Sequence, residues 1–133
     1  RADMARAILE AIALEAKNNL DIVESYVGTI DKLLIGGGLT KFPEFDQMQA
    51  DVYQKALTHN QSSAEQTALG AWANAAVALE IYTTHTEAIS TAKENEQVET
   101  YVPNPAHAEI YLRKQRQMNA LYDSVKKLSR DMY

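Results

Sequence analysis

The sequence predicts an all-α protein, an up-and-down four-helix bundle with three long helices and one short one. Three observations carry that prediction. The first thirty-odd residues hold one continuous apolar seam, a second seam starts at Leu69, and no stretch alternates apolar and polar residues as a half-buried strand does.

In the first seam Leu9, Ala13, Ala16, Leu20, Val23, Val27, Ile30 and Leu34 are separated by steps of three and four residues. That is the spacing of helices that cross at a shallow angle. Ile8, Ile12 and Ile22 widen the stripe toward a core-facing helix. The predicted element covers about residues 3–35, roughly 48 Å at ~1.5 Å per residue, with Asp3 as its N-cap.

Gly36-Gly37-Gly38 ends it. Three glycines supply a left-handed cap and a tight reversal. A phosphate-binding loop would need a strand before the glycines, a helix N-terminus after them and a Lys-Ser/Thr at the right offset. With a helix assigned before them, the glycines read as a turn. Phe42, Pro43 and Phe45 then read as an apolar plug at one end of the bundle. A short helix follows over about 44–58, with Met48, Val52, Tyr53, Ala56 and Leu57 as its apolar marks, and His59-Asn60-Gln61 breaks it.

Ser62-Ser63-Ala64-Glu65 has the form of a capping box, which opens a helix over about 63–93. Its seam of Leu69, Trp72, Ala76, Leu79, Thr83, Thr86 and Ser90 is apolar in the first half and hydroxylic in the second. Glu94 to Pro105 is a polar connector, stiffened by Val102-Pro103-Asn104-Pro105. Asn104 caps and Pro105 opens the last helix, about 106–131. Tyr111, Met118, Leu121, Val125, Leu128 and Met132 form its seam, which Lys114 interrupts.

The length of 133 residues predicts one domain, 1–133. The composition, 46% hydrophobic and 23% charged, is globular rather than disordered. Without cysteine, disulfides and thiolate chemistry are excluded. The net charge of −5 is uneven: residues 1–105 hold seven Lys/Arg against fifteen Asp/Glu, and residues 106–133 hold six against three. A basic last helix docked on acidic neighbours accounts for this. No apolar run reaches the ~20 residues of a membrane span. The chain starts at Arg1 rather than Met, which leaves room for a removed segment upstream.

A carboxylate-bridged metal centre in a bundle needs Glu-x-x-His on two helices. The residues three positions before His59, His85 and His107 are Ala56, Tyr82 and Asn104, so that motif is missing. No metal, cofactor or catalytic residue is assigned. The one polar knot within a predicted helix is His85 with Glu80, Thr83 and Thr86. It is the candidate small-ligand site, beside the plainer reading of a hydroxyl-satisfied bundle end. Phe42 and Phe45, with Arg113, Arg116, Lys126, Lys127 and Arg130 of the last helix, form the candidate interaction surface. With acidic net charge and no recognised motif, nucleic acid is not an expected partner.

The order of helices resembles a loose group of small bacterial single-pass membrane-anchored helical proteins of unassigned function. The resemblance rests on Glu15-Ala16-Lys17-Asn18-Asn19-Leu20, on Val52-Tyr53-Gln54-Lys55-Ala56-Leu57 and on Leu79-Glu80-Ile81-Tyr82. It implies an N-terminal anchor outside this sequence, a place at the cell membrane and no catalytic residues. The expected function is therefore a non-enzymatic interaction or sensing domain with a protein partner or self-association. The alternatives are a small-ligand- or metal-binding bundle centred on His85 and a cytoplasmic helical adaptor that uses the basic last helix.

Overall fold

A computed structural model describes residues 1–60, 66–93 and 97–130, with side chains described except at Asn60, Gln66 and 127–130. The expected all-α bundle is replaced by an α/β fold. Among the described residues there are five α-helices and a three-stranded mixed sheet: α1 (Ala2–Val27), β1 (Leu33–Ile35), α2 (Pro43–Tyr53), β2 (Leu57–Asn60), α3 (Gln66–Ala78), α4 (His85–Ala92), β3 (Val98–Tyr101) and α5 (Ala108–Arg130). Two 3-10 turns, Gly38–Lys41 and Pro105–His107, lead into α2 and α5.

The sheet order is β1-β2-β3. β1 runs parallel to β2, with Leu33 opposite Leu57 and Ile35 opposite His59. β3 is antiparallel to β2, with Tyr101 opposite Leu57 and Glu99 opposite His59. Parallel neighbours require a crossover, and the segment from Gly36 through α2 provides it. The core forms where α1, α2, β2 and α5 meet: Ala13, Leu14, Phe45, Ala50, Val52, Tyr53, Leu57 and Tyr111 are buried together. Leu57 is wholly buried at the centre.

α1 ends eight residues before its predicted limit. Gly28 takes a left-handed φ of 84° and its N–H donates to Glu24 O at 2.9 Å. The Glu24 carboxylate then accepts from Ile30 N at 2.7 Å and pairs with Lys55 Nζ at 2.8 Å. Ile30 and Leu34 fell on the helical seam by coincidence of spacing. The inner part of the seam does face the core, since Leu9, Ala16 and Leu20 pack beside Ala13. Ile8, Ile12 and Ile22 face outward.

The predicted helix over 63–93 is two helices. Glu80 adopts a left-handed φ of 59° just after α3, and Thr84 N-caps α4, its Oγ1 accepting from Glu87 N at 3.1 Å. The Glu87 carboxylate accepts from Thr83 N at 3.0 Å. Within the threonine cluster Thr84 is thus the helix cap, and the Thr83 N–H closes on Glu87 in return. The capping box expected at Ser62–Glu65 lies outside the described residues. α2 stops at Tyr53, because Gln54 takes a left-handed φ of 55°, which frees Leu57–Asn60 to pair as a strand. Asn104 caps the turn before α5 as expected, its Oδ1 accepting from Ala106 N at 3.0 Å.

Candidate functional site

β1 removes one objection to the triple glycine as a binding loop, the missing strand, although Leu39-Thr40-Lys41-Phe42 still lacks the Lys-Ser/Thr of a phosphate loop. A strand now precedes Gly36–Gly38, and a 3-10 turn and then α2 follow it. This is the strand–glycine loop–helix order in which backbone amides cradle an anion. Gly37 has φ 116° and ψ −178°, a conformation that favours glycine. A Cβ at Gly37 or Gly38 would meet nothing within 4 Å, so the approach to the loop's backbone is open. Thr40 fixes the loop from behind: its Oγ1 and N donate to Gly37 O at 2.8 and 3.1 Å. Lys41 is exposed at the end of the turn.

The first turn of α2 carries Pro43, which has no N–H, and two acids, Glu44 and Asp46. Asp46 is wholly buried and neither carboxyl oxygen accepts a hydrogen bond. Its Oδ2 lies 3.2 Å from His59 Nδ1 on β2. Burial pushes the Asp46 carboxyl up, nearby His59 pulls it down and Glu99 pushes it up, with a net rise. These acids already meet the positive end of the helix. Any anion at the loop is therefore left to the amides of the loop and turn.

Asp51, in the last turn of α2, ties this element to the chain that enters α5. It accepts from Asn104 N at 2.7 Å and Gln47 Nε2 at 2.9 Å. His107 Nδ1, 2.7 Å from Oδ2, is the donor of that pair because an ionised carboxylate only accepts. Burial raises the Asp51 carboxyl, but the bonds from Asn104, His107 and Gln47 outweigh it and hold it below the usual range. Beside this network Arg6, Glu44, Gln47, His107 and Tyr111 border an open groove of ≈ 470 Å³. On the far side of Arg6, Glu10 bonds both Arg6 Nε, at 2.9 Å, and Lys114 Nζ, clamping α1 to α5.

The residues singled out from sequence are scattered. His85, Glu80, Thr83 and Thr86 are exposed around the α3–α4 junction. Among the described residues, no group of three or more His, Asp or Glu is placed to hold a metal ion. Phe45 is in the core at 3% exposure, whereas Phe42 stands out at 57%. Arg113 and Arg116 line a shallow depression on the outer face of α5. Lys126 lies over the Tyr122 ring at 5.8 Å, and the side chains of Lys127 and Arg130 are outside the described residues. The loop was visible in the sequence as its glycines. The missing signal was β1, three apolar residues long.

The chain matches the family model "FGGY family of carbohydrate kinases, C-terminal domain" over residues 1–79. No curated protein matches it. Among solved structures, xylulose kinase from Rhodospirillum rubrum is similar with a TM-score of 0.68 and 24% identity, over 92% of this chain and 24% of that one. Ligand-bound xylulose kinase from Lactobacillus acidophilus gives a TM-score of 0.70 and 18% identity over the same shares. The likeness shows the fold, and this chain spans about a quarter of those kinases' length. These matches overturn the resemblance to membrane-anchored proteins of unassigned function. They replace the expected non-enzymatic interaction or sensing domain with part of an enzyme family. Among the described residues no helix is long and apolar enough to cross a membrane.

Proposed function

Because the chain belongs to the FGGY family of carbohydrate kinases, matching the model of its C-terminal domain, we propose that it holds the phosphoryl donor of a sugar kinase at the Gly36–Gly38 loop. A carbohydrate kinase moves a phosphoryl group from a nucleoside triphosphate to a sugar hydroxyl. Such chemistry depends mainly on positioning and on neutralising phosphate charge. The observation that carries the reading is the open glycine loop between β1 and the turn into α2, with Gly37 at φ 116°. In this reading the amides of Gly38 and Leu39, at the start of a helical turn where N–H groups have no intrahelical acceptor, donate to a phosphate oxygen, and exposed Lys41 offsets its charge. Thr40 and the packing of Phe45 hold the loop in place. A nucleotide-using enzyme also fits the cytoplasmic alternative for this chain.

The test is Gly37→Val in the full polypeptide that carries this chain. A β-branched residue strains this glycine-only conformation by ~1–3 kcal/mol and projects methyl groups over the loop; its Cβ meets no neighbour, and far-UV circular dichroism checks that the fold survives. ATP affinity is measured by calorimetry, and phosphorylation is followed with a panel of sugars that includes xylulose. Losing one or two amide bonds to an anion should weaken ATP roughly 10- to 100-fold. A variant that binds ATP as the parent does overturns the assignment.

A further inference from the structure

The glycine loop leaves β1 at Ile35 and rejoins the fold through α2, and one residue of β2 meets both ends. His59 stands opposite Ile35 in the parallel ladder, and its Nδ1 lies 3.2 Å from Asp46 Oδ2 in the first turn of α2. Asp46 N donates to Phe42 O at 3.3 Å, where the 3-10 turn meets the helix. Ladder, loop, turn and side-chain pair thus close a ring at the base of Gly36–Gly38. The pair is dry, with Asp46 0% and His59 7% exposed. Among the described residues no donor is aligned on either Asp46 oxygen. An ionised carboxylate in that position is costly, and a proton kept by the pair relieves the cost. The other ionisable neighbours come from β3 and α2. Glu99 faces His59 across the antiparallel ladder and accepts from Tyr101 Oη at 2.8 Å. The Tyr101 phenol in turn feels Asp46 and Glu44. Of these groups only His59 can carry positive charge.

We propose that Asp46 and His59 form a proton-held clasp that positions the Gly36–Gly38 loop for the triphosphate of the donor. This rests on the assignment of phosphate to that loop. Both side chains are buried, so they act through the backbone as positioning residues. With its proton the clasp holds the start of α2 against β2, and the loop amides stay aimed at one point. As pH rises and the proton leaves, Asp46 is left as a buried anion and the clasp loosens. The sign follows from burial, which raises the Asp46 carboxyl above its ordinary value: what the proton contributes is present at low pH and lost as pH rises.

Affinities for ATP and inorganic tripolyphosphate are measured by calorimetry over about pH 5–8 on the full polypeptide carrying this chain. The proteins are the parent, Asp46→Asn, His59→Ala, the double variant and Gly37→Val. Asp46→Asn keeps the side chain's shape and cannot ionise. The parent should match it at the acid end and fall roughly 5- to 150-fold behind it toward the alkaline end, the size of one uncompensated buried group. His59→Ala should weaken both ligands, and adding Asp46→Asn should recover part of that loss, which lost packing alone would not allow. Should His59→Ala fail to fold, the Asp46→Asn profile decides alone. A constant ratio of parent to Asp46→Asn across the pH range overturns the clasp, as does a His59→Ala loss that Asp46→Asn leaves in place. If Gly37→Val loses both ligands while the Asp46 and His59 variants follow the parent, the loop stands and the clasp alone falls. If the parent does not bind ATP, or Gly37→Val binds it unchanged, the loop assignment itself falls.

Discussion

Replacing Asp51 with alanine should be among the most damaging single changes in this fold. The carboxylate is 4% exposed and accepts from Asn104 N at 2.7 Å, His107 Nδ1 at 2.7 Å and Gln47 Nε2 at 2.9 Å. A hydrogen bond to a charged group contributes ~1.5–3 kcal/mol net. The three do not simply add, because the variant no longer buries a charge. The Asn104 amide, however, would lose its acceptor in a partly buried site. The expected loss is about 3–5 kcal/mol, a fall in urea midpoint of ~2 M for an m-value of ~1–3 kcal/mol/M, read by far-UV circular dichroism. His107→Ala should cost under ~1 kcal/mol, since that side chain is 46% exposed. The pH dependence has a definite sign. The folded carboxyl is held below its unfolded value of about 3.9. Its contribution is therefore complete above that pH and lost as pH falls through the lower folded value. The gap between parent and Asp51→Asn should close as pH falls below the unfolded value of about 3.9. A loss below ~1 kcal/mol for Asp51→Ala, or a gap that does not close in acid, refutes the network.

Two further outcomes are expected. Leu57→Ala, at a wholly buried position where β2 meets the helices, should cost ~2–5 kcal/mol and broaden or abolish cooperative melting; a change under ~1 kcal/mol would mean that the core can close around the gap. The Tyr101 phenol is pushed up to about 12 by burial and by its 2.8 Å bond to Glu99. Burial also raises the Tyr53 and Tyr111 phenols, so ultraviolet titration of tyrosinate should show several late-ionising groups, one of which is lost in Tyr101→Phe and moves down in Glu99→Gln; a late set that Glu99→Gln leaves unchanged would place the cause elsewhere.

Much of the helical content was legible. The inner seam of α1, the start of α2 and the Asn104–Pro105 start before α5 all follow from local chemistry that the fold leaves intact. The strands were not legible for a physical reason. Leu33–Ile35 is too short and too uniformly apolar to show alternation, and Leu34 happened to continue a helical rhythm. Val98–Tyr101 reads as polar because it is largely exposed. Its pairing with β2 comes from a segment some forty residues away, which no local window contains. Once β1 was absorbed into the first helix, the glycine loop lost the strand that gives it meaning, and the candidate site went to the threonines near His85 instead. Among them Thr84 restarts a helix after the left-handed Glu80.

The clamp between Glu10 and Lys114 has a bearing on how this chain is made. Its two halves are separated by 104 positions, and Gln115, which reaches the Leu14 carbonyl and Asn18, is as distant. At a ribosomal pace of ~5–20 residues per second, α1 waits about 5–20 s for α5 to emerge. Through that interval α2 covers part of its inner face, but the side that α5 will cover stays open and the Glu10 carboxylate has only Arg6. A chain cut short before Lys114 would carry that opening permanently. It would offer a quality-control protease an unlatched first helix, however sound its sheet.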